Sequence, residues 1–135
     1  MEKIKNFIEK NKKYSVDILR IGLALVFLWF GISQLINPES FLGYIPQWLY
    51  IQNFSAHTII ISNGIFETVF GFLLLIGLFT RISAFLLALH LLGIMFSLGY
   101  NDIAVRDFGL VMATVSLIFF GSGIFSVDNK IVTKH

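Results

Sequence analysis

Glu67 and His90 are the strongest candidates for chemistry, because each stands alone in the middle of a long apolar stretch. Glu67 interrupts IIISNGIFETVFGFLLLIGLF and His90 interrupts ISAFLLALHLLGIMFSLG. An ionised carboxylate at the centre of a membrane helix costs roughly 2.5–3.5 kcal/mol on insertion scales. It must turn inward and be protonated or paired. The two stretches are joined by the short turn at Thr80-Arg81. Counted from that turn, Glu67 is about 13 residues away and His90 about 10, so at 1.5 Å per residue they fall within roughly 5 Å of one depth. The spacing predicts that both face one interior cavity, where a carboxylate and an imidazole can share a proton. The alternative is a polar lock, with Glu67 bonded to Arg20, Asn63 or a serine to fix helix register and His90 a satisfied buried histidine.

Three more polar positions complete the candidate ligand-binding set. Arg20 lies one or two turns inside the first apolar stretch; it either snorkels to the lipid headgroups or turns inward as counter-charge to Asp17 or Glu67. Arg106 opens the last stretch beside Asp107, at the depth of Gln34, where an acid near a helix N-terminus is ordinary dipole chemistry. The set is thus Arg20, Gln34, Glu67, His90 and Arg106, with Glu67 and His90 as catalytic candidates. No metal centre is expected. Cysteine is absent, which excludes thiolate zinc sites, iron–sulfur clusters and dithiol redox centres. His57 falls near the outer rim and His135 in the tail, so no facing pair of haem ligands exists. No cluster of His and carboxylate suits copper or iron, and no G-x-S-x-G, Walker loop or H-E-x-x-H occurs. The chain encodes no cofactor site or catalytic motif of its own, so redox chemistry would need a bound cofactor or a partner protein.

The elements that position these residues follow from composition. The chain is 56% hydrophobic and 13% charged, against about 25% charged in soluble domains. It lacks the polar surface for a globule in water, so the lipid bilayer is part of its solvent. Four spans are expected, at 16–36, 58–79, 82–99 and 105–125, each long enough for a hydrocarbon core of roughly 30 Å. Helix is required, because an open sheet would leave backbone groups unpaired in lipid and barrel strands would alternate in polarity. The first span reads as uncleaved: its apolar run is too long for a secretory signal, and no small-residue cleavage site precedes Asn37-Pro38. A basic segment (1–15) precedes the four-helix domain (16–128), and a tail (129–135) follows. Nine of the ten Lys and Arg fall on one side of such a chain and only Arg106 on the other. The positive-inside rule then places both termini in the cytoplasm, in a plasma-membrane protein. No basic stripe suited to nucleic acid is present. Asn37-Pro38-Glu39 reads as a helix start, and Asn101 and Asp102 are available to cap the fourth span. The aromatic outer connection (Phe41, Tyr44, Trp48, Tyr50, Phe54) reads as an interfacial belt or as a lid over the cavity.

Small and polar residues mark where helices meet in lipid. In the first span these are Asp17, Arg20, Ala24, Phe27, Gly31 and Gln34, spaced 3-4-3-4. In the second they are Gly64, Glu67 and Gly71, continued by Leu74 and Leu78, and in the third Ser83, His90 and Ser97. In the fourth they are Arg106, Gly109, Ala113, Ser116, Phe120 and Gly123. Gly121-Ser122-Gly123 reads as close packing inside that helix. The fold class is therefore all-α: a polytopic membrane four-helix bundle with left-handed antiparallel packing.

The stretches RIGLALVFLWFGISQL (20–35), FETVFGFLLLIGLFTR (66–81) and RDFGLVMATVSLIFFGSGIFSVD (106–128) resemble the DoxX/DoxD-like membrane proteins, with the resemblance running from Arg20 to Asp128. The family implies a four-helix bundle with an Arg early in the first helix, a Glu in the second, a Thr-Arg closing it and an Arg-Asp opening the fourth. Arg20, Glu67, Thr80-Arg81 and Arg106-Asp107 match those features. Where many members carry a Lys near the end of the first helix, this chain has Gln34, which removes an outer cation. Some relatives are named as subunits of quinone-linked oxidoreductases, including thiosulfate:quinone oxidoreductase, and others are associated with membrane redox-stress complexes. The resemblance implies a quinone as ligand and a membrane or peripheral redox protein as partner; association into a homo-oligomer is left open. A non-enzymatic scaffold or a bundle that binds lipid or a small molecule needs only the seam and the aromatic segment.

Overall fold

The computed structural model describes residues 1–52 and 55–133, except the side chains of 50–52. A short helix α1 (Glu2–Asn11) leads through a 3-10 turn into α2 (Ser15–Ile36). Then follow α3 (Ala56–Ile76), α4 (Thr80–Leu98), α5 (Asp102–Phe120) and a terminal turn of helix, α6 (Val127–Val132). The helices α2 to α5 are long and apolar enough to cross a membrane; the chain is a multi-pass membrane protein. They run antiparallel, with α2 packed chiefly on α3 and α4 chiefly on α5. The connection from α2 to α3 is built of two 3-10 segments, Pro38–Tyr44 and Gln47–Gln52. Of its aromatic residues, the side chain of Tyr50 and all of Phe54 lie outside the described residues, as do Lys134 and His135 in the tail.

The interior combines an apolar core with a set of buried polar and charged side chains, while the outside is apolar. Asp17, Arg20, Gln34, Glu67, Thr80, Ser83, Asp107 and Thr114 are all buried, while Leu25, Trp29, Phe72, Phe85, Phe96 and Phe119 are exposed. Lipid solvates the outer side chains, so burying them would gain little. Polar groups gain most by meeting one another, and this sorts the faces of each helix. On α2 the buried set is Asp17, Arg20, Leu23, Ala24, Phe27, Gly31 and Gln34, which includes every expected seam position. On α3 it is Ala56, Ile60, Gly64, Glu67, Gly71 and Leu74.

Two glycines set the α2–α3 distance. A Cβ at Gly31 would lie 2.7 Å from the Thr68 backbone nitrogen and 2.9 Å from the Gly64 carbonyl oxygen; one at Gly64 would lie 2.9 Å from the Gly31 carbonyl oxygen. The two backbones touch here, as small-residue crossings in lipid allow. That contact brings Gln34, one turn along α2, beside Glu67, one turn along α3.

The fourth span departs from the expected register. Its buried face is Ala104, Asp107, Val111, Thr114 and Leu117, whereas Arg106, Gly109 and Phe120 are exposed. The face is rotated by about one residue, roughly 100°. Thr114 can be buried because its hydroxyl donates to the Leu110 carbonyl (2.7 Å) within its own helix. Gly109 has nothing within 4 Å of where a Cβ would stand, so its smallness serves no contact.

The same span also ends earlier than expected, at Phe120 rather than 125. Gly121 (φ 88°) and Gly123 (φ 78°) take left-handed conformations, which cost a residue with a Cβ about 1–2 kcal/mol. The run Gly121-Ser122-Gly123 is therefore the turn that ends α5. It lets the chain fold back across the end of the bundle where both termini lie.

Candidate functional site

Glu67 on α3 and His90 on α4 meet. Glu67 Oε1 is 3.5 Å from His90 Nε2, which is long for a hydrogen bond; Nε2 is buried and has no hydrogen-bond partner. The other carboxylate oxygen is engaged from α2: Gln34 Nε2 donates to Glu67 Oε2 (2.9 Å), and Asn63 Nδ2 donates to Gln34 Oε1 (3.0 Å). Asn63 stands one turn before Glu67 on α3, so the i, i+4 spacing puts both on one face. The His90 ring stacks on Phe66, with centroids 4.5 Å apart and an interplanar angle of 30°. This holds the imidazole edge toward the carboxylate.

These groups line a chamber of about 910 Å³ that reaches all four membrane helices and the 3-10 segment. Most of its wall is apolar and aromatic, with Phe27, Phe30, Phe41 and Tyr44 among the lining residues. Its polar points include Gln34, Asn63, Glu67, His90 and, on α5, Arg106 and Asp107, with the hydroxyls of Ser40, Tyr44 and Ser97 also on the lining. Small-molecule sites have this character, a hydrophobic cavity with a handful of orienting polar groups. Asp107 Oδ1 accepts from Arg106 Nε (3.0 Å) and Nη2 (2.9 Å). The Arg106 guanidinium lies 5.4 Å from the centroid of the Phe30 ring, within cation–π range. Phe41, Tyr44 and Leu49 of the connection between α2 and α3 form part of the wall.

Arg20 is placed elsewhere. It is fully buried at the end of the bundle that holds the termini and does not line the chamber. Nη1 donates to the Leu74 carbonyl (2.8 Å), which also accepts from the Gly77 N–H (3.2 Å), and to the Leu75 carbonyl in the last turn of α3, where carbonyls lack partners within the helix. Nη2 donates to Asp17 Oδ1 (3.1 Å) and to the Phe125 carbonyl (3.0 Å). Asp17 in turn accepts from the backbone N–H groups of Ile124 (2.9 Å) and Phe125 (3.1 Å). Of the two inward partners expected for Arg20, the structure brings it to Asp17 and not to Glu67. The reason is depth: Arg20 stands near the start of α2, beside the end of α3, whereas Glu67 is at mid-span.

Sequence reasoning missed two functional contacts of the C-terminal turn. Asp128 accepts from the N–H groups of Phe79 and Thr80, both at 2.8 Å, and so caps α4 from 48 positions away. Phe79, at φ 50° the one described non-glycine residue in the left-handed region, is held by that contact. Gly123 packs its backbone directly on the Asp17 carboxylate, where a Cβ would collide. No sequence-local signal links these partners. The role of Asp107 in the chamber wall had a signal, in that its i, i+4, i+7 mates on α5, Val111 and Thr114, are bulkier than the glycine-marked face. Among the described residues no group of three or more His, Cys, Asp or Glu is placed to hold a metal ion.

With the geometry in hand, comparison with known proteins adds the following. An uncharacterized protein of Haemophilus influenzae is 28% identical over 140 residues, an alignment covering 96% of this chain and 99% of that protein. No solved structure matches. The DoxX family model matches residues 15–99, a stretch that holds Asp17, Arg20, Gln34, Glu67 and His90 and more than half of the chain. The Gln34–Glu67 hydrogen bond, the close helix crossing and most of the chamber wall are thus built within the matched stretch, and the chain belongs to the DoxX family.

Proposed function

We propose that this chain is the integral membrane subunit of a quinone-linked or redox-stress-related oxidoreductase complex, and that the chamber around Glu67 and His90 binds the quinone head. The observation that carries this reading is the chamber itself: a cavity with aromatic walls into which a buried carboxylate, an unpartnered imidazole nitrogen and two amides converge. Its donor set suits a ring with polar oxygens at its edges. Nε2 of His90 lacks a partner, and a buried polar atom without one invites a ligand. Phe66 and Phe27 provide flat apolar surface beside it.

A bound quinone would supply two-electron, two-proton redox chemistry. The chain's own residues would bind and orient it: Gln34 and Asn63 fix the Glu67 carboxylate, the Phe66 stack fixes the His90 ring, and the pair Oε1–Nε2 can hold one proton between them. The surrounding apolar wall excludes bulk water, which strengthens each polar contact. Electrons must come from a membrane or peripheral partner protein, because the chain has no cysteine and no metal-binding group among its described residues.

In this reading the Lys-rich end that carries both termini faces the cytoplasm of the plasma membrane, as the bias of Lys and Arg requires. The 3-4-3-4 spacing of the buried residues of α2 favours left-handed packing of the bundle. The test is extraction. Protein purified from membranes is treated with organic solvent and assayed for quinone and phospholipid. About one quinone per chain is expected, as for any one-to-one site. Protein free of quinone, together with no quinone-dependent activity alongside candidate partners, overturns the reading. Retention of phospholipid instead supports a lipid-binding bundle, which the aromatic outer segment and the apolar wall also suit.

A further inference from the structure

We infer that the chamber opens sideways to the bilayer between α3 and α4, and that this gap is a groove for the hydrocarbon tail of the bound molecule. The inference rests on the quinone reading and adds the tail site and the route of access. Two stripes of residues edge the gap: Ile59, Asn63 and Phe66 on α3, and Leu86, Leu89 and Gly93 on α4, all of them lining the chamber. Leu89 is 57% exposed, so a residue of the chamber wall also faces lipid. Gly93 is exposed, and nothing lies within 4 Å of where its Cβ would stand.

α3 packs less extensively on α4 than on α2, and α4 packs chiefly on α5. On α4 the buried positions Thr80, Ser83, Ala84, Leu87 and Ala88 cluster in the half nearer the termini, and only Leu91 lies beyond them. Past His90, Leu91 is the one buried position of α4, so the half of α4 beyond the Glu67–His90 pair adds little to the buried core. The corresponding gap between α2 and α5 is bridged by the Arg106 guanidinium over the Phe30 ring. The opening therefore lies on the α3–α4 side, and its apolar edges continue directly from the polar end of the chamber. A head held at Glu67 and His90 would leave its tail in this groove, in contact with the acyl chains. A water-soluble ligand needs no such opening.

The natural absence of cysteine makes a clean test. Gly93→Cys is purified, left free or coupled to a bulky maleimide, and compared with Ile65→Cys, which is lipid-facing on α3 outside the chamber. Binding of a decyl-tailed benzoquinone is measured in nanodiscs. The groove predicts that coupling weakens binding by Gly93→Cys at least about tenfold relative to the same variant left free, and that coupling leaves binding by Ile65→Cys where it is in its own free form. If wild type binds and coupled Gly93→Cys binds equally well, the lateral groove is wrong while the head site stands. If wild type binds no quinone, the head site fails and the groove with it. Stoichiometric phospholipid that blocks quinone binding would assign the groove to an acyl chain and also overturn the inference.

Discussion

Gln34 on α2 donates to the carboxylate of Glu67 on α3, 2.9 Å away, and the contact spans the crossing where Gly31 and Gly64 let the two helices touch. The site and the fold are thus one construction. The polar groups that could bind a ligand are aligned by the crossing that holds the bundle together.

Gly31→Leu should damage both. The new side chain would begin 2.7 Å from the Thr68 backbone nitrogen, and backbone cannot yield as a flexible side chain does. Overpacking of this kind costs about 1–3 kcal/mol or more. Thermal unfolding in detergent is expected to show a clear fall in Tm. Gly109→Ala, with open space around it, should leave Tm unchanged or raise it, since alanine is the better helix former by about 1 kcal/mol.

Glu67→Gln and Glu67→Ala should separate structure from chemistry. The glutamine keeps an acceptor for Gln34, so stability should change by less than about 1 kcal/mol, in line with the small worth of polar contacts between membrane helices. Alanine leaves the Gln34 Nε2 donor without its acceptor and should cost about 1–3 kcal/mol. Unfolding curves in detergent measure both. Equal, large losses for the two variants would show that the charge rather than the hydrogen bond holds α3 in register.

Arg20→Ala should be among the most destabilising single changes. It leaves the buried Asp17 carboxylate without its counter-charge and removes the donors to the carbonyls of Leu75 and Phe125. Removing one partner of a buried ion pair costs about 3–5 kcal/mol. The double variant Asp17→Ala, Arg20→Ala should recover part of that loss in the same unfolding assay, because no lone charge remains.

How far the sequence could be read follows the range of the forces involved. The seam on α2, the inward turn of Glu67 and its shared depth with His90 were all legible, because helix periodicity and the lipid's rejection of charge act along one helix at a time. The α5 face was not legible. Small residues suggested Gly109 and Gly123, but a threonine bonded to its own helix and a bulky Val111 form the actual contact. The C-terminal turn was equally hidden. Gly123 is required by a carboxylate on α2, and Asp128 caps α4, and neither partner is close in sequence.

Asp128→Ala tests that hidden link. It removes the acceptor for two N–H groups at the start of α4, so about 1–2 kcal/mol should be lost, as at other caps. The segment after Phe120 should become more sensitive to protease in detergent. Unchanged cleavage would show that the Asp17–Phe125 contacts alone hold the strap.

The most direct measurement uses Trp29, which lines the chamber. In a Trp48→Phe background it is the single tryptophan, and a decyl-tailed benzoquinone quenches tryptophan fluorescence on contact. A ligand head seated against Glu67 and His90 requires quenching that saturates at about one quinone per chain. Affinity should then fall at least tenfold, about 1.4 kcal/mol, in both Glu67→Leu and His90→Leu. Quenching that rises linearly with quinone in the bilayer, identically in all three proteins, would contradict a binding site at that pair.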